Sequence, residues 1–221
     1  LPRDRNAERK LEEAQRLIKE QDWRQAIELL QGMLDEKEDK FMQDAQGRWA
    51  SVRSEANRLL ASMGKEGLQY YEQYCGAAAQ TMLQQALQSA DLHKLAEVAR
   101  RYLYTEAGAE ALVALGTAQL DHGSAIMAAL YFERLLKRVG DLQRLPTLTL
   151  IKAAFAFERA GQTELRHQVW AELQRRDWER DLPEALARLG KRQVQQLAAA
   201  TAKQQTSREQ FDWPIFGGDM R

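Results

Sequence analysis

The stretch Ala111-Leu-Val-Ala-Leu-Gly-Thr-Ala-Gln-Leu-Asp-His-Gly123 decides the fold. It reads as an apolar helix carrying a glycine at 116 and ending in a turn at Gly123, seven residues on. Twelve residues after Gly116 comes a second small residue, Ala128, and four after that the bulky Phe132. Small side chains at matched points of consecutive helices let two backbones approach closely, and the bulky one fills the space beside them. The spacing predicts a pair of antiparallel helices joined by a tight turn.

The same spacing occurs upstream. Between Asn6 and Glu38, the residues Leu11, Ala14, Leu17 and Ile18 mark one apolar face, and Ala26, Ile27, Leu29, Leu30 and Met33 mark the next. The joint is Gln21-Asp-Trp-Arg-Gln25, with Ala14 and Ala26 as the small pair and Leu30 in the bulky position. A weaker copy places Ala154, then Gly161 in a turn, then Trp170, with Arg166 where a small alanine is expected. That departure predicts a terminal hairpin whose outer face meets solvent. The spacing resembles the tetratricopeptide pattern. The expected fold is all-α, a tetratricopeptide-like α-solenoid of antiparallel helical hairpins.

Trp49 to Thr105 reads as helices that have drifted from this spacing. A helix around Ser54–Met63 precedes a turn at Gly64-Lys-Glu-Gly67, a longer helix runs from Leu68 to Ser89, and another from Leu92 to Tyr102. Asp91 and Thr105 suit the N-caps of the last of these and of its successor, because their side-chain oxygens accept unpaired first-turn amides. From Asp181-Leu-Pro-Glu184 a further helix is expected to about Ala202, the proline falling in the first turn where its missing N–H matters least.

Composition narrows the function classes. Of 221 residues, 44% are apolar, enough for a sizeable core, and only four are proline. Thirty-two basic residues balance thirty-two acidic ones, so the overall field gives no reason to expect nucleic acid or an anionic membrane as partner. No apolar run approaches the roughly 20 residues that a membrane helix needs. The single cysteine, Cys75, rules out an internal disulfide. Among residues 188–209 Arg188, Lys191, Arg192, Lys203 and Arg208 face the lone acid Glu209, a balance read as a solvated helix face.

The last residues differ from all that precede them. After a polar stretch at 203–211, Asp212-Trp-Pro-Ile-Phe-Gly-Gly-Asp219 brings strand and turn chemistry together. This segment resembles the opening strand of pyrroloquinoline-quinone-like propellers of the outer-membrane assembly lipoprotein type, written W-P-x-F-x-G-D. The expected organisation is a helical repeat domain over 1–202, a linker over 203–211, and the start of a β-propeller over 212–221.

The order of helical repeats, polar linker and W-P-x-F-x-G-D resembles planctomycete-type envelope proteins that place a tetratricopeptide-like region before a quinone-type propeller. Leu95 to Leu112 and Gly116 to Leu136 are the helical stretches most similar to that family. The resemblance implies a periplasmic or cell-envelope location and a scaffolding role, and it carries no catalytic residues onto this chain.

The residues themselves point away from catalysis and metal binding. His93, His122 and His167 stand far apart, none with a partner at metal-ligand spacing. Cys75 has no close basic neighbour to activate it and reads as a buried, inert thiol. No catalytic, cofactor or metal residues are expected. For binding, Tyr70, Tyr71 and Tyr74 on one helix and Tyr102 and Tyr104 at the end of another are candidates for a groove that holds a protein segment. A simpler reading packs them between hairpins with hydroxyls outward. Trp213 and Phe216 join the candidates as apolar anchors in the tail. The expected partner is another protein or the chain's own C-terminal propeller. Two rival readings are a helical extension of a quinoprotein enzyme whose active site lies in the propeller, and a self-assembling structural module.

Overall fold

The computed structural model describes residues 5–43, 47–140 and 142–176. The helix expected from Asp181 to about Ala202, the linker and the propeller strand lie outside the described residues. The chain divides between Arg144 and Leu145 into two compact units. Among the described residues the elements are nine α-helices, one short helical turn and two three-residue strands, so the fold is all-α. No described helix is long and apolar enough to cross a membrane.

The first unit opens with the hairpin α1 (Arg5–Lys19) and α2 (Trp23–Asp35). In α1 the buried residues are Ala7, Leu11, Ala14 and Leu17; in α2 they include Ala26, Ile27, Leu30 and Leu34. Steps of three and four put each set on one stripe, which is the condition for two helices to share a core. The joint is short: the Asp22 amide donates to the Leu17 carbonyl at 3.0 Å, and the Asp22 side chain accepts from the Gln25 amide at 3.2 Å. Ala14 and Ala26 are both fully buried.

After α2 the structure departs from the sequence reading. Phe41–Gln43 (β1) and Trp49–Ser51 (β2) pair antiparallel, with Phe41 opposite Ser51 and Gln43 opposite Trp49. The expectation of helix from Trp49 onward is corrected here. Three residues cannot display a twofold alternation, so the strands left no periodic signal. Asp39 ties the hairpin to the next helix, accepting from the Ser51 hydroxyl at 2.6 Å.

Next come α3 (Val52–Ser62) and α4 (Gly64–Gln88). The turn expected over Gly64–Gly67 is shorter than that. Only Met63 separates the helices, with Gly64 at φ +68, and Lys65 to Gly67 already belong to α4. Gly67 serves packing instead: a Cβ there would stand 3.2 Å from the Trp23 ring and closer still to Met63.

The unit closes with α5 (Leu92–Arg101), α6 (Glu106–Asp121) and α7 (Ala125–Val139). Both expected N-caps form. Asp91 accepts from the amides of His93 and Lys94, and Thr105 Oγ1 accepts from the Gly108 amide at 3.1 Å while donating to the Tyr102 carbonyl at 2.8 Å. A Cβ at Gly108 would lie 2.0 Å from that same carbonyl oxygen, so the backbones touch here.

The second unit contains the hairpin α8 (Thr147–Arg159) and α9 (Thr163–Arg175), turning at Gly161 with φ +73. Ala154 and Phe157 are buried, and Val169 and Leu173 complete the core while Trp170 is only half-buried. Arg166 corrects the expectation of a solvent-facing departure. It is 4% exposed, and its guanidinium donates to Glu158 and to His167 Nε2. The carboxylate supplied by α8 is what allows a long cation to stand where an alanine was expected.

Candidate functional site

Helix α4 sorts its three tyrosines by row. Gly67, Tyr71, Cys75, Ala79 and Leu83 are its buried residues at four-residue steps, so Tyr71 belongs to the inward row. Its hydroxyl donates to Gln31 Oε1 at 2.9 Å and lies 3.4 Å from the Arg101 carbonyl oxygen. Gln31 in turn donates to Asp35 Oδ1 at 2.8 Å and to the Arg101 carbonyl at 3.3 Å, and Arg101 Nε donates to Asp35 Oδ1 at 2.7 Å. Burial pushes the Tyr71 phenol well above its ordinary value, and pushes the Cys75 thiol up to about 12. A thiol held protonated is not a nucleophile at neutral pH. The cluster joins α2, α4 and α5, with Gln31 and Tyr71 buried and Asp35 at its solvent edge.

Tyr102 is also buried, with the Arg101 guanidinium 5.4 Å from its ring centroid. Tyr71 and Tyr102 therefore lie in the packed interior rather than on a peptide-binding surface, and the Tyr71 hydroxyl points inward rather than outward. The polar end of the Tyr71 ring found a place inside because the Gln31 amide oxygen and the Arg101 carbonyl meet it there. Tyr70 and Tyr104 are half-buried. Tyr74 is 47% exposed and donates to Glu28 Oε1 at 3.0 Å, which Arg24 Nε also reaches at 3.2 Å. The Arg24 and Tyr74 hydrogen bonds hold the Glu28 carboxyl below its usual range. Trp213 and Phe216 lie outside the described residues.

Several arginines are spent on the ends of helices. Arg100 donates to the Leu34 carbonyl at 2.7 Å, and Arg138 donates to the carbonyls of Leu103 and Thr105 at 2.6 and 2.8 Å. Helix C-termini leave carbonyls unpaired, and these side chains satisfy the last turn of α2 and the chain that follows α5. His122 sits at the exposed end of α6 with Nδ1 2.6 Å from the Ala118 carbonyl oxygen. Among the described residues, no three His, Cys, Asp or Glu side chains gather as a metal site.

The outward face of α7 is the feature that sequence reasoning missed. Ile126 is 67% exposed, Leu130 48% and Met127 42%, while Ala128, Ala129, Phe132 and Leu135 fill the core behind them. A helix with one buried stripe needs apolar residues over only part of its circumference. The run Ala125-Ile-Met-Ala-Ala-Leu-Tyr-Phe132 is apolar almost all round. That surplus was the available signal.

Family models, curated proteins and solved structures give no match to this chain, so the functional reading stands on its residues and geometry.

Proposed function

We propose that this chain is a non-enzymatic protein-interaction or scaffolding module, the helical part of a larger β-propeller protein of the cell envelope. The observation that supports the interaction role is the row of large apolar side chains left in water on α7, Ile126, Met127 and Leu130. Exposed apolar surface gathered on one face marks a place where another macromolecule binds. The polar groups joining α2, α4 and α5 favour the same reading, because the buried Gln31 and Tyr71 and the more exposed Asp35 and Arg101 spend hydrogen bonds on one another. The propeller and envelope parts of the proposal rest on the resemblance carried by Trp213-Pro-Ile-Phe-Gly-Gly-Asp219.

Co-purification from native cells tests it, using the intact protein as wild type and as the Ile126→Ser/Leu130→Ser variant. The expected result is a discrete partner that the wild type retains and the variant loses, with unchanged thermal unfolding. An identical set of bound proteins on both forms, or none on either, contradicts the proposal.

A further inference from the structure

Arg134 is half-buried on α7 and makes no hydrogen bond or ion pair with any described residue. The side chains around it that bear on its charge are two phenols, Tyr104 and Tyr131, and burial lowers its affinity for its proton. Four-residue steps place Ile126, Leu130, Arg134 and Arg138 in one row, with Met127 and Tyr131 in the row beside it. The row is thus apolar over its first half and cationic over its second. Arg138 is already committed to the carbonyls of Leu103 and Thr105, and Lys137 pairs with Glu133 at 2.6 Å. Arg134 is the guanidinium that remains available. A planar cation partly stripped of water and lacking an acceptor is one half of a bidentate carboxylate pair. Its surroundings strengthen such a pair relative to one in open solvent.

Resting on the interaction reading above, we propose that this face of α7 docks an acidic amphipathic segment of a protein partner. The partner's apolar side chains cover Ile126, Met127 and Leu130, and one of its carboxylates pairs with Arg134. Charge complementarity selects this occupant. A nucleic-acid backbone would satisfy Arg134 but leave the apolar half of the row in water. A second copy of the same face brings no free carboxylate, because its acid, Glu133, is already paired with Lys137.

Fluorescence anisotropy with the intact protein tests this. The probe is a labelled helix-forming peptide with leucines at three- and four-residue spacing and glutamates between them. One control replaces its glutamates by lysine, and the other replaces its leucines by serine. The glutamate–leucine peptide should bind, and both controls should not. Arg134→Gln should weaken binding about tenfold, Arg134→Lys less, and Leu130→Ser by a similar factor, with melting temperatures confirming that each variant is folded. Absent binding, equal binding of the lysine peptide, or indifference to Arg134→Gln would overturn the proposal. Self-association of the protein that Leu130→Ser abolishes would overturn it too, assigning the face to a second copy. If the peptides fail while the Ile126→Ser/Leu130→Ser protein still loses its co-purified partner, the interaction role stands and the acidic partner alone falls.

Discussion

Gly116 of α6 lies directly against the ring of Phe132 on α7, so close that a Cβ there would stand 2.8 Å from Cε2 and Cζ. The contact joins the two residues whose spacing reads as a hairpin in the sequence. Gly116→Leu should therefore force the helices apart and destabilise the protein by about 1–3 kcal/mol or more. Urea denaturation followed by circular dichroism measures this. An unchanged midpoint would mean that the close approach of α6 and α7 does not support the fold.

Tyr71→Phe keeps the ring and removes the hydroxyl that donates to Gln31 Oε1. The buried carbonyl of Gln31 then loses a donor, which costs about 1–3 kcal/mol. The loss should be smaller when Gln31 is also replaced by leucine, because the pair is coupled. Strict additivity in that double-mutant cycle would show that the two side chains act independently.

Cys75 should resist alkylation in the native protein at pH 8 and react once the chain is unfolded in denaturant. Its folded pKa, about 12, stands above the ordinary 9.0 because burial disfavours the thiolate. The raised value means that this group's contribution to stability is complete below pH 9 and is lost as pH rises toward 12. Rapid native labelling would place the thiol in solvent, and stability unaffected by Cys75→Ala across this range would remove its share of the alkaline loss.

How far the sequence could be read depended on whether a residue's role was local. Asp91 and Thr105 were legible as caps because the amides they bind lie two or three residues on. Gly123 and Gly161 were legible as turns for the same reason. Tyr71 was harder, since three tyrosines within five residues look alike until the row of Gly67, Cys75 and Ala79 shows which one faces inward. Arg166 was misread because its counter-charge, Glu158, sits on the preceding helix. The face of α7 was missed because periodicity marks apolar residues without saying which of them another helix covers.

Glu158→Gln should destabilise the hairpin of α8 and α9 by about 2 kcal/mol, since it removes the carboxylate to which the buried Arg166 guanidinium donates. Arg166→Met, which fills similar volume without charge, should cost less. Thermal unfolding of the two variants compares them. The reverse order would show that Arg166 supports this hairpin by more than its pairing with Glu158.

Whether the outer face of α7 meets another protein is read by site-specific photo-crosslinking in the intact protein. A photoreactive residue replaces Leu130, and a control replaces Lys65, which is exposed on α4. Position 130 should give one discrete adduct in native cells, suppressed by an excess of the glutamate–leucine peptide, and position 65 should give none. No adduct from position 130, or the same adducts from both positions, would contradict that contact.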